Sequence, residues 1–376
     1  MCRHVRIPIL DVVAQNKALS AEITAAIANV VASGRFILGP EVERFESSVC
    51  AYLGVRHAIA VSSGSDALVC ALHSLGIGAG DEVITTPFSF FATVEAILRV
   101  GAIPRFVDVC DDTLELDPEQ VYTAVGPRTR AILGVALYGE PGRIERLAEV
   151  AERDGLPLVE DAAQAFGARF RGRAVGSFGA FGCFSFQPTK PLGAFGDAGM
   201  VVTSDDRLAE LCRQIRSHGA TSKHQHAVVG GNYRMDALQA AILNVKLSRL
   251  SAYLELRAQH REAYDRELRD LPGLVTPSRV AGSTPSHSVY TVRVRDGRRD
   301  ELAKGLGAAG IDTAVHYPVP LHRQPVLLDR AIGLPAGSLP VVESAAKEVL
   351  ALPLFPELSA EDRQRVSGEV HRYFGQ

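Results

Sequence analysis

The sequence predicts an α/β fold, with a mostly parallel mixed sheet between helices and a smaller α+β domain after it. Two observations predict this class. Short β-type segments alternate with helix-like segments through the first part of the chain, and the pattern changes near residue 250. Such alternation is typical of stacked βαβ units, whose ligands bind beyond the carboxyl ends of the strands.

The large domain is predicted over residues 1–249. In its first long helix, over 19–33, apolar residues recur at helical spacing, and Gly34 stands where a helix would end. A second long helix is expected over 237–254. The predicted strands of this domain are 57–61, 82–86, 105–109, 131–137, 156–160, 178–186 and 199–203.

The small C-terminal domain is predicted over residues 250–376. It contains a β-type segment over 288–294, a helix-like segment over 301–309 and a terminal helix after Ser359. No Gly/Ser-rich linker separates the two domains, so we expect them to pack together around a cleft.

Composition excludes several function classes. The 376 residues, of which 47% are hydrophobic, can bury a large core. Because 40 basic and 43 acidic residues are mixed along the chain, neither nucleic acid nor a membrane surface is an expected partner. The six cysteines are scattered without metal-ligand spacing, so no metal is expected. No apolar run is long enough for a signal peptide or a membrane span, and a cytoplasmic location is expected.

Lys190 lies in a polar turn that follows a predicted strand and precedes several glycines. A lysine at a strand end inside a cleft can form a Schiff base if its surroundings lower its pKa. The alternative is an ordinary solvated loop lysine.

Asp161 follows the predicted strand 156–160, at the ligand-facing edge of the sheet. Pyridoxal phosphate (PLP) chemistry requires a carboxylate of this kind, because an anion beside the pyridine nitrogen keeps that nitrogen protonated. The alternative is a helix N-cap.

Ser63, Gly64, Ser65 and Asp66 follow another predicted strand and open a helix. Free backbone N–H groups at a helix start bind phosphate well, and the hydroxyl of Ser185 could add a donor. An ordinary strand-to-helix turn with a capping serine is the alternative.

Phe90 lies in an aromatic segment at a further strand end, where its ring could stack on a flat pyridine. Aromatic clusters are more often part of the core, which is the alternative here.

Together with residues 34–40 (GRFILGP), 231–243 (GNYRMDALQAAIL) and 316–322 (HYPVPLH), these motifs cover nearly the whole chain in order. The chain resembles the DegT/StrS-type sugar aminotransferases, PLP enzymes of the aspartate-aminotransferase fold, fold type I. The resemblance implies that Lys190 carries PLP as a Schiff base, Asp161 pairs with the pyridine nitrogen and Gln164 lies beside the ring oxygen.

The same resemblance implies the remaining site residues. Phe90 stacks on the ring, and the phosphate is held by Ser63, Gly64, Ser65, Asp66 and Ser185. Asn232 reaches the phosphate of a neighbouring subunit, so a homodimer with shared active sites is expected. The expected substrate-binding residues lie in the two C-terminal motifs and are Arg234, His316, Tyr317 and His322.

The implied reaction is a transamination in two halves. In the first half, an amino donor, expected to be glutamate, converts PLP to pyridoxamine phosphate. In the second half, pyridoxamine phosphate aminates C3 or C4 of a nucleotide-linked keto-hexose, which is expected to be a 6-deoxy sugar. Three positions depart from the family pattern and weigh against a direct transfer of substrate identity from a relative: Ala136 and Glu140 often appear as His and Gln, and Pro191 is commonly Asn.

Three alternatives remain open. The acceptor could be a cyclitol ketone of the scyllo-inosose type. A PLP-dependent sugar dehydratase of the same fold is a second alternative. Dehydratases of this kind typically have histidine at the position of Lys190, so the lysine favours transamination. A non-catalytic regulatory protein is the third, and the presence of Lys190, Asp161 and Gln164 together argues against it.

Overall fold

A computed structural model describes residues 6–329, 332–333 and 337–375 and confirms the predicted α/β class. The helices of the described residues are α1 (Val12–Lys17), α2 (Ser20–Ser33), α3 (Pro40–Leu53), α4 (Gly64–Ser74), α5 (Ala92–Arg99), α6 (Pro118–Ala124), α7 (Ile144–Arg153), α8 (Asp206–Arg216), α9 (Ala237–Leu247), α10 (Leu250–Glu267), α11 (Arg299–Ala308), α12 (Pro325–Leu328), α13 (Pro340–Glu348) and α14 (Ala360–Phe374). The strands are β1 (His57–Val61), β2 (Glu82–Thr85), β3 (Ile103–Phe106), β4 (Thr129–Val135), β5 (Leu158–Asp161), β6 (Arg169–Phe170), β7 (Arg173–Ala174), β8 (Phe181–Ser185), β9 (Gly199–Thr203), β10 (Ala220–Ser222), β11 (Gln225–His226), β12 (Leu274–Val275), β13 (Ser283–Thr284), β14 (Tyr290–Val294) and β15 (Val349–Leu352).

The main sheet has the strand order β1-β9-β8-β5-β4-β2-β3. All its neighbouring strands pair in parallel except at β9, which runs antiparallel to both β1 and β8. Its strands are almost completely buried, as expected for a sheet covered on both faces. The carboxyl ends of β1, β4, β5 and β8 therefore meet at one edge of the sheet.

Several predicted elements differ from the structure, most of them by up to three residues at an end, and two of the differences have a clear physical reason. The strand predicted at 105–109 lies at Ile103–Phe106, because pairing with β2 begins at Ile103 opposite Glu82. The helix predicted over 237–254 is two helices, α9 and α10. They have different partners: α9 packs against α2 and α3, whereas α10 packs against α14 of the C-terminal region.

The C-terminal region contains a three-stranded antiparallel sheet in the order β12-β14-β15. Tyr264, Val292 and Val366 lie in its own buried core. Ile7 belongs to the same core, and its N–H donates to the carbonyl of Gly310 at 2.9 Å. The N-terminal segment therefore packs with the C-terminal region, and the domain boundary at residue 249 stays a prediction.

A search of the helices in the described residues finds none with both the length and the apolar character needed to cross a membrane.

Candidate active site

A cavity of about 630 Å³ lies at the carboxyl edge of the main sheet, between that sheet and the C-terminal region. Its volume suits a small-molecule site, and its position is the one that sheets of this topology use for ligands. The predicted site residues that line it are Ser63, Gly64, Ser65, Phe90, Asp161, Gln164, Ser185, Lys190, His316 and Tyr317. Residues that the sequence analysis did not select also line it, among them Ile9, Leu10, Gln187, Thr189, Asp197, Ser288 and Leu354.

Lys190 lies in a tight turn after β8, where its N–H donates to the carbonyl of Gln187 at 2.9 Å. The turn returns so closely that a Cβ at Gly193 would lie 2.4 Å from the carbonyl oxygen of Pro188. Burial lowers the pKa of Lys190, and the nearby Asp161 carboxylate opposes this shift. The amine therefore loses its proton more readily than a surface lysine does, as a nucleophile must.

Asp161 ends β5 and is only 5% exposed. Its Oδ2 accepts a hydrogen bond from Thr93 Oγ1 at 2.7 Å, and its Oδ1 accepts one from the N–H of Ala163 at 3.2 Å. Burial raises the pKa of Asp161, and these two donors and Lys190 act against that rise. The N-cap alternative fails, because the described segment 162–168 forms turns and no helix begins there.

The start of α4 forms the second part of the cavity wall. Ser63 caps the helix, since its Oγ accepts from the N–H of Asp66 at 3.1 Å. Gly64 allows close approach to β8, because a Cβ there would lie 2.7 Å from Cβ of Ser185. Ser65 and Ser185 thus line the cavity beside the positive end of the α4 dipole.

The side chain of Asp66 is not among the cavity-lining groups. Its carboxylate accepts hydrogen bonds from Ser62 Oγ at 2.6 Å and Ser63 Oγ at 3.1 Å, and it pairs with Arg99 at 3.1 Å. In this geometry Asp66 shapes the start of α4 and offers no donor of its own to a phosphate.

Phe90 is 60% exposed although it belongs to an aromatic segment. Its ring lies on the cavity wall, tilted against Tyr317 at a centroid distance of 6.3 Å. Phe88, two residues earlier, is the fully buried core residue of this segment. The core alternative therefore applies to Phe88 and not to Phe90.

Gln164 is held at both ends of its amide. Its Oε1 accepts from the N–H of Tyr138 at 2.6 Å, and its Nε2 donates to the hydroxyl of Tyr317 at 3.1 Å. Tyr138 has a left-handed backbone conformation with a φ of 58°. Burial and the nearby Lys190 lower the pKa of His316, which keeps that ring neutral.

The other three predicted site residues lie outside this cavity. The ring of His322 is buried against Phe106, with Nε2 3.3 Å from Glu343. His322 therefore packs beside the cavity-lining region without lining the cavity, and its predicted substrate-binding role stays a prediction. Asn232 is exposed and accepts from Arg234 Nε at 2.9 Å, so neither side chain reaches the cavity of its own chain.

Thr93 and Tyr138 are contacts of predicted site residues that the sequence analysis did not identify. Thr93 lies in the same motif as Phe90, in the buried first turn of α5. Its hydroxyl-bearing side chain in that motif could have indicated a hydrogen-bond partner for a site residue. Tyr138 gave no such indication, because its backbone conformation depends on contacts with distant residues.

A sequence model of the DegT/DnrJ/EryC1/StrS aminotransferase family matches residues 17–371. The chain belongs to this family. The prediction of a PLP-dependent sugar aminotransferase is therefore confirmed, and the donor set around the cavity agrees with that chemistry.

Three relatives show how closely this family member resembles known proteins. The dTDP-3-amino-3,4,6-trideoxy-alpha-D-glucose transaminase of Streptomyces venezuelae is 45% identical, over 98% of this chain and 96% of the relative. A crystal structure of S. venezuelae DesV in complex with a ketimine intermediate superposes with a TM-score of 0.96 at 45% identity, covering 99% of this chain and 100% of that one. A Geobacillus stearothermophilus protein named pleiotropic regulatory protein is 46% identical over 98% of both chains.

Proposed function

We propose that this protein transfers an amino group from glutamate to the ketone of a nucleotide-linked hexose, with a dTDP-linked 3-keto-6-deoxy sugar as the acceptor. The observation that carries the proposal is the pairing of a partly buried lysine, Lys190, with a buried carboxylate, Asp161, in one cavity. The name of the S. venezuelae relative supports amination at C3 of a dTDP-sugar.

The residues of the cavity fit PLP. A buried carboxylate, an exposed aromatic ring and a helix start with two nearby serines match its ring nitrogen, its ring face and its phosphate. Lys190, Asp161, Phe90, Ser65 and Ser185 are the groups that would hold it. When bound, the cofactor carries the amino group between the two substrates and accepts electrons from the reacting carbon.

The protein supplies proton transfer and orientation. Lys190 would hold the cofactor through its amine, and the same amine, once free, could act as the base that moves a proton at the substrate carbon. Asp161, kept anionic by Thr93 and Ala163, holds a proton on the ring nitrogen. The small and apolar groups at Val289, Ala314 and Leu354 keep bulk water from part of the cavity.

The charge of the cavity supports a homodimer with shared sites. Among the described residues that line it, Lys190 is the sole lysine or arginine, whereas a sugar nucleotide carries a diphosphate. Groups from a second subunit would supply the missing positive charge and donors. Asn232 and Arg234, which do not reach the cavity of their own chain, are the proposed contributors.

The test uses protein loaded with pyridoxamine phosphate and a panel of acceptors: dTDP-, UDP- and GDP-linked 3-keto and 4-keto hexoses, and scyllo-inosose. We expect the dTDP-linked 3-keto sugar to restore the visible absorbance of the pyridoxal form fastest and to yield an amino-sugar by mass spectrometry. Lys190→Ala should fold and bind the cofactor but give no turnover, whereas Lys347→Ala, a change on α13, should leave the rate unchanged.

Other results would select the alternatives. Turnover of scyllo-inosose alone would indicate a cyclitol aminotransferase, and loss of a sugar hydroxyl without amination would indicate a dehydratase. A protein that binds PLP without turnover of any acceptor would support a regulatory role, which the name of the G. stearothermophilus relative keeps under consideration. The cytoplasmic location stays a prediction.

A further inference from the structure

The side-chain amide of Gln164 has a defined orientation. The backbone N–H of Tyr138, 2.6 Å away, can only donate, so the atom facing it must be the oxygen of the amide. The NH₂ group therefore lies on the other side, where one hydrogen is donated to the hydroxyl of Tyr317 at 3.1 Å. Because an amide nitrogen carries two hydrogens, one remains for the cavity that Gln164 lines.

Tyr138 holds both partners of this arrangement. Its N–H binds Gln164, and its hydroxyl donates to the carbonyl of His316, the residue before Tyr317. The turn around Tyr138 is fixed from the C-terminal region, since the N–H of Ser288 donates to the Tyr138 carbonyl at 3.0 Å. Ser286 packs directly against Gly139, because a Cβ there would lie 2.3 Å from Ser286 Oγ.

Tyr317 is suited to receive the amide hydrogen. Its ring packs edge-on against Phe88 at a centroid distance of 6.2 Å and lies beside Phe90. Burial and the nearby Asp161 carboxylate raise the pKa of Tyr317, so the hydroxyl keeps its proton at neutral pH. A neutral hydroxyl accepts from Gln164 without adding a negative charge to the cavity.

We propose that Tyr317 is a positioning residue for transamination, which acts through Gln164 and keeps that amide as a hydrogen-bond donor toward the ring oxygen of bound PLP. The proposal rests on the function proposed above, because the ring oxygen belongs to that cofactor. Without the Tyr317 hydroxyl, the amide nitrogen loses its acceptor and the side chain loses its fixed direction. A weaker donor leaves more negative charge on the ring oxygen, which then holds the ionisable proton of the bound cofactor more tightly.

The experiment titrates the visible absorbance of the holoenzyme with pH, without either substrate. We expect Tyr317→Phe to raise the midpoint of this titration by roughly half a unit to one unit, the effect of losing one hydrogen bond. Tyr373→Phe removes a hydroxyl that bonds Glu301 on the surface, far from the cavity, and should leave the midpoint unchanged. An unchanged midpoint in Tyr317→Phe would overturn the proposal.

A double-mutant cycle separates action through Gln164 from direct contact with the cofactor. In a Gln164→Leu background, we expect Tyr317→Phe to shift the midpoint no further. A full additional shift would mean that Tyr317 acts on the cofactor by itself, which contradicts the proposal. Gln164→Glu keeps an acceptor for the Tyr138 N–H but removes the amide donor, so it should raise the midpoint more than Tyr317→Phe does. It provides a second test if Tyr317→Phe folds poorly. A wild-type protein without a visible band in the presence of PLP would refute the proposed function itself.

Discussion

Replacing Thr93 with valine removes one hydrogen bond to the Asp161 carboxylate and leaves the shape of the side chain almost unchanged. Thr93 is fully buried on α5, and its Oγ1 lies 2.7 Å from Asp161 Oδ2. Ser89 is its other polar neighbour, at 2.8 Å. The substitution therefore changes the electrostatic environment of Asp161 more than the packing around it.

The size of the effect follows from the contacts of Asp161. A hydrogen bond to a charged group contributes about 1.5–3 kcal/mol, and one pKa unit corresponds to about 1.4 kcal/mol. The N–H of Ala163, at 3.2 Å, still stabilises the carboxylate in the variant. We therefore expect the pKa of Asp161 to rise by roughly one unit, because the lost donor favoured the charged form.

The assay is the pH dependence of kcat/KM, which reports the ionisation of the free enzyme. Since Asp161 must be anionic, the acidic limb of the Thr93→Val profile should move to higher pH by roughly one unit. Thr85→Val is the matched control, because Thr85 is equally buried, at the end of β2, but donates to the carbonyl of Leu133. An acidic limb at the wild-type position in Thr93→Val, or an equal shift in the control, would refute the reasoning.

Two further predictions concern the charged residues Glu115 and Arg99. Burial and the nearby Glu140 raise the pKa of Glu115. The folded protein therefore binds the carboxyl proton of Glu115 more tightly than the unfolded chain does. The stability that this proton contributes is lost as pH rises above the unfolded pKa of about 4.3. Glu115→Gln should therefore melt at a higher temperature than wild type by a margin that grows with pH; a margin independent of pH would contradict this. Arg99 neutralises Asp66 at the start of α4, so Arg99→Gln should weaken PLP binding by roughly fivefold in a spectral titration. Arg266→Gln, the same change at an exposed position of α10, is the control, and equal affinities in wild type and Arg99→Gln would disprove that role.

Strand positions were predictable where an apolar run has clear ends. β1 and β9 lie at the predicted residues, because polar or turn residues bound each run on both sides. β3 begins two residues before its predicted start, since its pairing with β2, and not its local sequence, sets where it begins. The division between α9 and α10 depends on their different packing partners, which helical periodicity does not reveal.

The site was predictable to the extent that it depends on strand ends. Lys190 and Phe90 follow strands of the main sheet and Asp161 ends one, so topology brings all three to one cavity. Motif membership did not reveal side-chain direction: Asp66 pairs with Arg99, away from the cavity. The conformation of Tyr138 depends on contacts from the C-terminal region, which no local pattern encodes.

The most direct measurement is to reduce the PLP-loaded protein with borohydride, digest it and locate the added mass by mass spectrometry. We expect the label on the peptide that contains Lys190. Lys246 is the informative competitor, because burial lowers its pKa to about 8, yet its Nζ donates to Asn16 at 3.1 Å outside the cavity. A label on Lys246, or no label on any lysine, would contradict the assignment of Lys190 as the residue that carries the cofactor.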